Sequence, residues 1–144
     1  MIPDAVRAEL RAHAQEESPN ECCGVIVLRD DVAERYVPGR NTLASPYRYE
    51  LEIDPAVWFL EDEGYELAVF HSHPETAPIP SRTDRELAGL WSGRPFVIYG
   101  LSRDELPAGS TVVCVLADAG WKYLSAPFWH AADVEESMET SLWW

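Results

Sequence analysis

Apolar residues fall at two spacings along the chain. Near the N-terminus Val6, Leu10 and Ala14 recur at helical intervals, and Pro3 fits a first turn, where its missing N–H costs nothing. This predicts a helix ending near Glu17, broken by Ser18-Pro19-Asn20. Cys22-Cys23-Gly24-Val25-Ile26-Val27-Leu28 is then continuously apolar, as expected of a buried strand. Asp30-Asp31 makes a tight connection to Val32–Val37, whose mixed pattern suits a half-exposed hairpin partner. After a turn at Pro38-Gly39-Arg40-Asn41, Tyr47–Glu52 alternates as a strand with one wet face. Asp54-Pro55 combines an N-cap with a first-turn proline and opens a second helix through Val57, Trp58, Leu60 and Glu61, which Gly64 ends. Leu67–Phe70 reads as a short buried strand, and Ser81 opens a third helical pattern marked by Leu87, Leu90 and Trp91. Pro95–Tyr99 and Thr111–Leu116 are further strands, and Asp118-Ala119-Gly120 turns the latter into Trp121–Leu124. The sum is an α/β fold: a mixed, largely antiparallel sheet with about three helices packed on it.

Composition narrows the picture. The chain has 144 residues, 47% of them hydrophobic, enough for one domain with a core of its own. We assign that domain to residues 1–128, followed by an acidic tail at 129–144 that ends in Trp143-Trp144 and either docks by its tryptophans or offers them to a partner. No apolar run approaches a membrane span, and the N-terminus lacks the basic start and apolar stretch of a signal peptide. The expected setting is cytoplasmic, without a membrane partner. Adjacent Cys22 and Cys23, with Cys114, form neither a disulfide framework nor a paired Cys-x-x-Cys site, and are expected to be buried thiols. Twenty-five acidic residues against 11 basic ones give a net charge of −14, and Lys122 is the sole lysine. Such a field repels phosphate backbones and excludes nucleic-acid binding. It suits a solvated surface, or adaptation to high salt, where screening relieves self-repulsion. Oligomeric state leaves no trace in the sequence.

The candidate chemistry centres on His71-Ser72-His73. Side chains two apart on a strand share a face, so His71 and His73 project together. Beyond seven intervening residues, Ser81-Arg82-Thr83-Asp84 begins a helix whose first turn would aim Asp84 at both imidazoles. Two nitrogens and one carboxylate oxygen, with a fourth position open, make a catalytic type of zinc site holding one ion per chain. Each part also has a plainer explanation. The histidines could simply pack, and Ser81-x-x-Asp84 could be a helix capping box, which is compatible with ligation. His13, beside the apolar stripe of the first helix, is assigned to packing. Glu21, taken alone, is a solvated loop residue. The chain has no His-Glu-x-x-His helix, and no His-x-Glu followed by Pro-Cys-x-x-Cys, which excludes thermolysin-like proteases and nucleobase deaminases. A cysteine peptidase built on Cys22 or Cys23 conflicts with their place in a buried strand.

Taken together, His71-x-His73-x7-Ser81-x-x-Asp84 and an upstream Glu21 before a Cys-Gly-hydrophobic strand resemble the JAMM (MPN-plus) metallopeptidase family. The likeness covers the first helix through about Tyr123 and includes His13-Ala14 and Ser18-Pro19-Asn20-Glu21-Cys22-Cys23-Gly24. It is greatest to small bacterial and phage members; Arg35–Asn41 and Phe70–Asp84 also resemble the JAMM domain of phage tail assembly proteins. The resemblance implies a curved mixed sheet flanked by helices, with cytidine deaminase-like layering. It implies that His71, His73 and Asp84 bind zinc, that Glu21 contacts the water zinc activates, and that Ser81 hydrogen-bonds the carbonyl oxygen under attack. It further implies hydrolysis of an amide or isopeptide bond after the Gly-Gly tail of a ubiquitin-like protein. Only Gly100–Ser110 could form a substrate flap, so the insertions that select a polyubiquitin linkage are absent. The expected partner is therefore a small ubiquitin-like protein of the sulfur-carrier type. A cell-wall or phage-tail peptidase, and a non-catalytic zinc-containing binding module, are the alternatives.

Overall fold

A computed structural model describes residues 1–87, 93–101 and 112–114. Helix α1 (Asp4–Glu17) is followed by strands β1 (Cys23–Arg29), β2 (Val32–Pro38), β3 (Arg40–Asn41) and β4 (Leu51–Glu52). A 3-10 helix (Pro55–Glu63) leads to β5 (Glu66–His73), and then come helix α2 (Arg82–Leu87), β6 (Phe96–Gly100) and β7 (Val112–Cys114).

The main sheet has the order β2-β1-β5-β6-β7, and β3 pairs with β4 in a small second sheet. Only β5 and β6 run parallel; the other described pairings are antiparallel, as the sequence leads one to expect. The β1–β2 hairpin turns through Asp30 and Asp31, both at positive φ (51° and 61°), which matches the twist of the strands it joins. A register shift at Val27/Leu28 explains why β2 buries Ala33 and Tyr36, three residues apart rather than two.

Each face of the sheet carries its own apolar layer. Helix α1 covers one face with Val6, Leu10 and Ala14, against Cys22, Ile26, Ala33, Tyr36, Ala68, Phe70 and Val97. Val25, Val27 and Leu67 on the other face pack beneath Val57 of the 3-10 helix, with Val37 and Leu51 at the margin.

Two expectations need correction. Tyr47–Glu52 is not a strand throughout: only Leu51–Glu52 pairs, because the residues before it fold as a loop held by the Asn41 side chain. The segment after Asp54 is a 3-10 helix rather than an α-helix; Asp54 caps it through the Ala56 N–H, and Gly64 ends it in the left-handed conformation (φ 84°). The expected continuation of α2 through Leu90 and Trp91 lies outside the described residues. So do the candidate flap beyond Leu101, the strand at 121–124 and the tail at 129–144.

Candidate metal centre

The site forms where the second face of the sheet meets the end of β5. Strand alternation places Leu67, Val69, His71 and His73 on that face, and the β1 ladder sets Cys23 opposite His71. Extending the same register puts Glu21 opposite His73, across fifty residues of chain. The result is Glu21 Oε1 3.9 Å from His73 Nε2.

The loop after β5 folds back so that the Ala77 carbonyl accepts a hydrogen bond from His73 Nδ1 at 2.9 Å. That bond leaves Nε2 free to face the site. The same loop lies against Gly100 at the end of β6, where a Cβ would sit 2.8 Å from Pro78 Cδ. This contact guides the chain to Ser81, whose Oγ accepts the Asp84 N–H at 3.1 Å while its own N–H donates to Asp84 Oδ2 at 2.6 Å. The capping box is therefore real, and it aims the carboxylate. Asp84 Oδ1 lies 3.2 Å from His71 Nε2, and Oδ2 lies 3.4 Å from His73 Nε2.

The two imidazole Nε2 atoms face each other at 3.2 Å. Two nitrogen lone pairs at that distance repel unless a proton or a cation lies between them. His71, His73 and Asp84 are all buried, and their donor atoms lie within 4.8 Å of one another, a group that can hold a metal ion. The residues expected from the sequence thus converge, including Glu21, which is 4% exposed rather than the solvated loop residue it resembles in isolation.

Burial is the dominant electrostatic influence. It pushes the Glu21 carboxyl up to about 8; His73 opposes the rise and Asp84 adds to it. It also pulls His71 down, against the pull of Asp84. Burial would raise Asp84, yet hydrogen bonds from His71, His73 and Ser81 hold it well below the usual carboxylate range. His73 likewise rises despite burial, through Asp84, the Ala77 carbonyl and Glu21. Among the described residues, Glu21 Oε2 and His71 Nδ1 are buried without a partner. The first leaves an unused oxygen on a residue of the site, and the second leaves the His71 ring to be held in another way.

Tyr49 supplies that hold. Its ring stacks on His71 with centroids 4.6 Å apart and planes 27° apart. The sequence pattern does not reveal this residue, because Tyr49 reads as part of an alternating strand. Nor does it reveal Asn41, whose only signal is a turn, or Ser72, which lies between the histidines but points to the other face. By contrast, His13 packs as expected, with Nδ1 2.7 Å from the Tyr36 hydroxyl. Cys22 and Cys23 are buried, and burial pushes both thiols up to about 12, too high for a nucleophile near neutral pH.

The chain is similar to several known proteins. The tail tip assembly protein K of Escherichia phage N15 is 40% identical over 77 residues, 53% of this chain and 31% of that protein. The CysO-cysteine peptidase of Mycobacterium tuberculosis is 39% identical over 83 residues, 54% of this chain and 57% of that protein. The chain thus matches little more than half the length of the peptidase and about a third of the phage protein. A probable TtuB-protein conjugate cleaving protease of Thermus thermophilus is 36% identical over 124 residues, 80% of this chain and 81% of that protein. A solution structure from Desulfitobacterium hafniense superposes with a TM-score of 0.60 at 30% identity, covering 78% of this chain and 79% of the other. Residues 3–115 match the family described as prokaryotic homologs of the JAB domain, and to that family this chain belongs.

Proposed function

We propose that the protein is a zinc-dependent peptidase that hydrolyses the amide bond after the Gly-Gly tail of a small ubiquitin-like, sulfur-carrier-type protein. The observation that carries this reading is the convergence of Glu21, whose Oε2 has no partner among the described residues, on the buried group of His71, His73 and Asp84. The donor set fits zinc. Bonds of about 2.0–2.1 Å in a tetrahedron keep neighbouring donors about 3.3 Å apart. The contacts among His71, His73 and Asp84 run from 3.2 to 3.4 Å. When bound, zinc supplies a Lewis acid that brings the pKa of a water molecule to about 7.

The chain's own residues supply the remaining steps. Glu21, buried beside His73, takes the proton from the attacking water and delivers it to the leaving amine. Ser81 Oγ accepts from the Asp84 N–H, so its hydroxyl proton is free to donate to the oxygen that gains charge as the carbonyl is attacked. Tyr49 and the Ala77 carbonyl hold the two imidazole rings in place. The names of the relatives support the substrate class: a CysO-cysteine peptidase, a probable TtuB-protein conjugate cleaving protease and, from Haloferax volcanii, a desampylase. A cytoplasmic setting belongs to the same proposal, supported by the free thiols of Cys22 and Cys23, which suit a reducing compartment.

Glu21→Gln tests the assignment. Zinc stoichiometry should stay near that of the parent, while cleavage of a Gly-Gly-tailed conjugate falls about 10²–10⁴-fold, the span of a general base. An unchanged rate would remove Glu21 from the mechanism. A parent protein that binds zinc but cleaves no such conjugate would favour a binding module.

A further inference from the structure

The β1–β5 ladder ends at Cys23 and His71, yet Glu21 and Cys22, the residues just beyond it, are held at every main-chain polar group. The Cys22 N–H donates to Ser72 Oγ at 2.9 Å, and the Cys22 carbonyl accepts the Ser72 N–H at 3.0 Å. The Glu21 N–H donates to the Ser45 carbonyl at 2.9 Å. The Glu21 carbonyl accepts Asn41 Nδ2, also at 2.9 Å.

Asn41 differs from the other anchors because its side chain serves two structures at once. Nδ2 donates to Glu21 and to the Arg48 carbonyl at 3.2 Å, while Oδ1 accepts the Leu43 and Glu50 N–H groups, each at 3.1 Å. Two carbonyls on one side and two N–H groups on the other fix the amide's orientation and use its whole hydrogen-bonding capacity. Leu43, Arg48 and Glu50 belong to the loop that carries Tyr49 onto His71, and Ser45, which holds the Glu21 N–H, lies in the same loop. One side chain therefore ties the main chain of Glu21 to the loop that stacks on His71.

We propose that Asn41 is a positioning residue: it sets the distance between the Glu21 carboxylate and the metal-binding histidines without touching substrate or metal. The proposal rests on the role assigned to Glu21 above. Rigid placement is what a general base needs, because a displacement of about 1 Å is enough to cost on the order of 10²-fold in rate.

Asn41→Asp is the sharpest variant, since it is isosteric, keeps the acceptor that holds Leu43 and Glu50, and replaces only the donor. Asn41→Ala serves as a second variant. Zinc content, kcat, KM and site-resolved amide exchange would be measured on both, beside the parent and Glu21→Gln. The expected result for Asn41→Asp is a 10–100-fold lower kcat with KM and zinc content unchanged. Exchange at Glu21 and Cys22 should accelerate at least 10-fold while Val25, Ile26 and Val27 stay protected. An unchanged kcat, a rise in KM alone, loss of zinc, or exchange that accelerates equally along β1 would overturn the proposal. If the parent cleaves no Gly-Gly-tailed substrate, the functional reading fails on its own, and exchange decides whether Asn41 holds Glu21: selective loosening supports it, and no change overturns it.

Discussion

The two halves of β5 are equally hidden from solvent and chemically opposite. From Leu67 to His73 no residue is more than 3% exposed. In the first half Leu67, Ala68 and Phe70 fill the apolar layers on both faces of the sheet. Phe70 meets the Tyr36 ring edge-on at 5.3 Å, within a cluster that needs nothing from outside the chain. In the second half His71 and His73 are buried beside Glu21 and Asp84, and among the described residues Glu21 Oε2 and His71 Nδ1 lack partners. Burial stabilises an apolar side chain and penalises an unpaired polar one by a similar magnitude. One strand thus carries a self-sufficient core at one end and, at the other, a polar group that a cation would complete.

The largest effect should come from breaking the polar half. His71→Ala removes one nitrogen of the donor group, so zinc should fall from about one per chain to near zero and cleavage by about 10³-fold or more. The far-UV signal should persist, because the apolar half does not depend on the metal. Retention of full zinc would show that the ion lies elsewhere.

Breaking the apolar half should have the converse outcome. Phe70→Ala opens a cavity at a position with no exposure, at a cost of about 3–5 kcal/mol read by denaturant unfolding. The molecules that remain folded should still bind zinc stoichiometrically. Loss of metal from this variant with stability intact would mean the two halves are coupled in a way the contacts do not indicate.

A third effect concerns pH in the metal-free protein. Glu21 ionises at about 8 in the folded chain against an ordinary value of 4.5, so the folded state holds a proton that the unfolded state has released. Its contribution is fully present below about 4.5 and is lost as pH rises through about 8. Since one pKa unit corresponds to about 1.4 kcal/mol, the chelated parent should lose up to a few kcal/mol more than chelated Glu21→Gln across that window. Parallel stability curves for the two proteins would show that Glu21 is not buried as described.

Much of this architecture is legible in the amino-acid sequence. The helical spacing of Val6, Leu10 and Ala14, the unbroken run at Cys22–Leu28 and the buried strand at Leu67–Phe70 each report a local periodicity, which survives folding because each segment buries one face. His71, His73, Ser81 and Asp84 are legible for a related reason. They lie within fourteen consecutive residues, so strand alternation and a first-turn cap suffice to bring them together. The 3-10 helix is not, because Asp54-Pro55 and Gly64 mark the ends of a helical segment without distinguishing its pitch. The alternation over Tyr47–Glu52 misleads because alternation describes side-chain chemistry, while the backbone there finds its partners in one asparagine.

What the sequence determined by itself is most of the elements and the His-His-Asp group, both of which rest on neighbours close along the chain. What only the tertiary structure decided is the arrival of Glu21 beside His73, the Tyr49 stack and the bridging role of Asn41. Those contacts depend on the register between β1 and β5 and on the path of the loop between β3 and β4. Both are set by the packing of the whole sheet, a sum over many distant residues that no local pattern encodes.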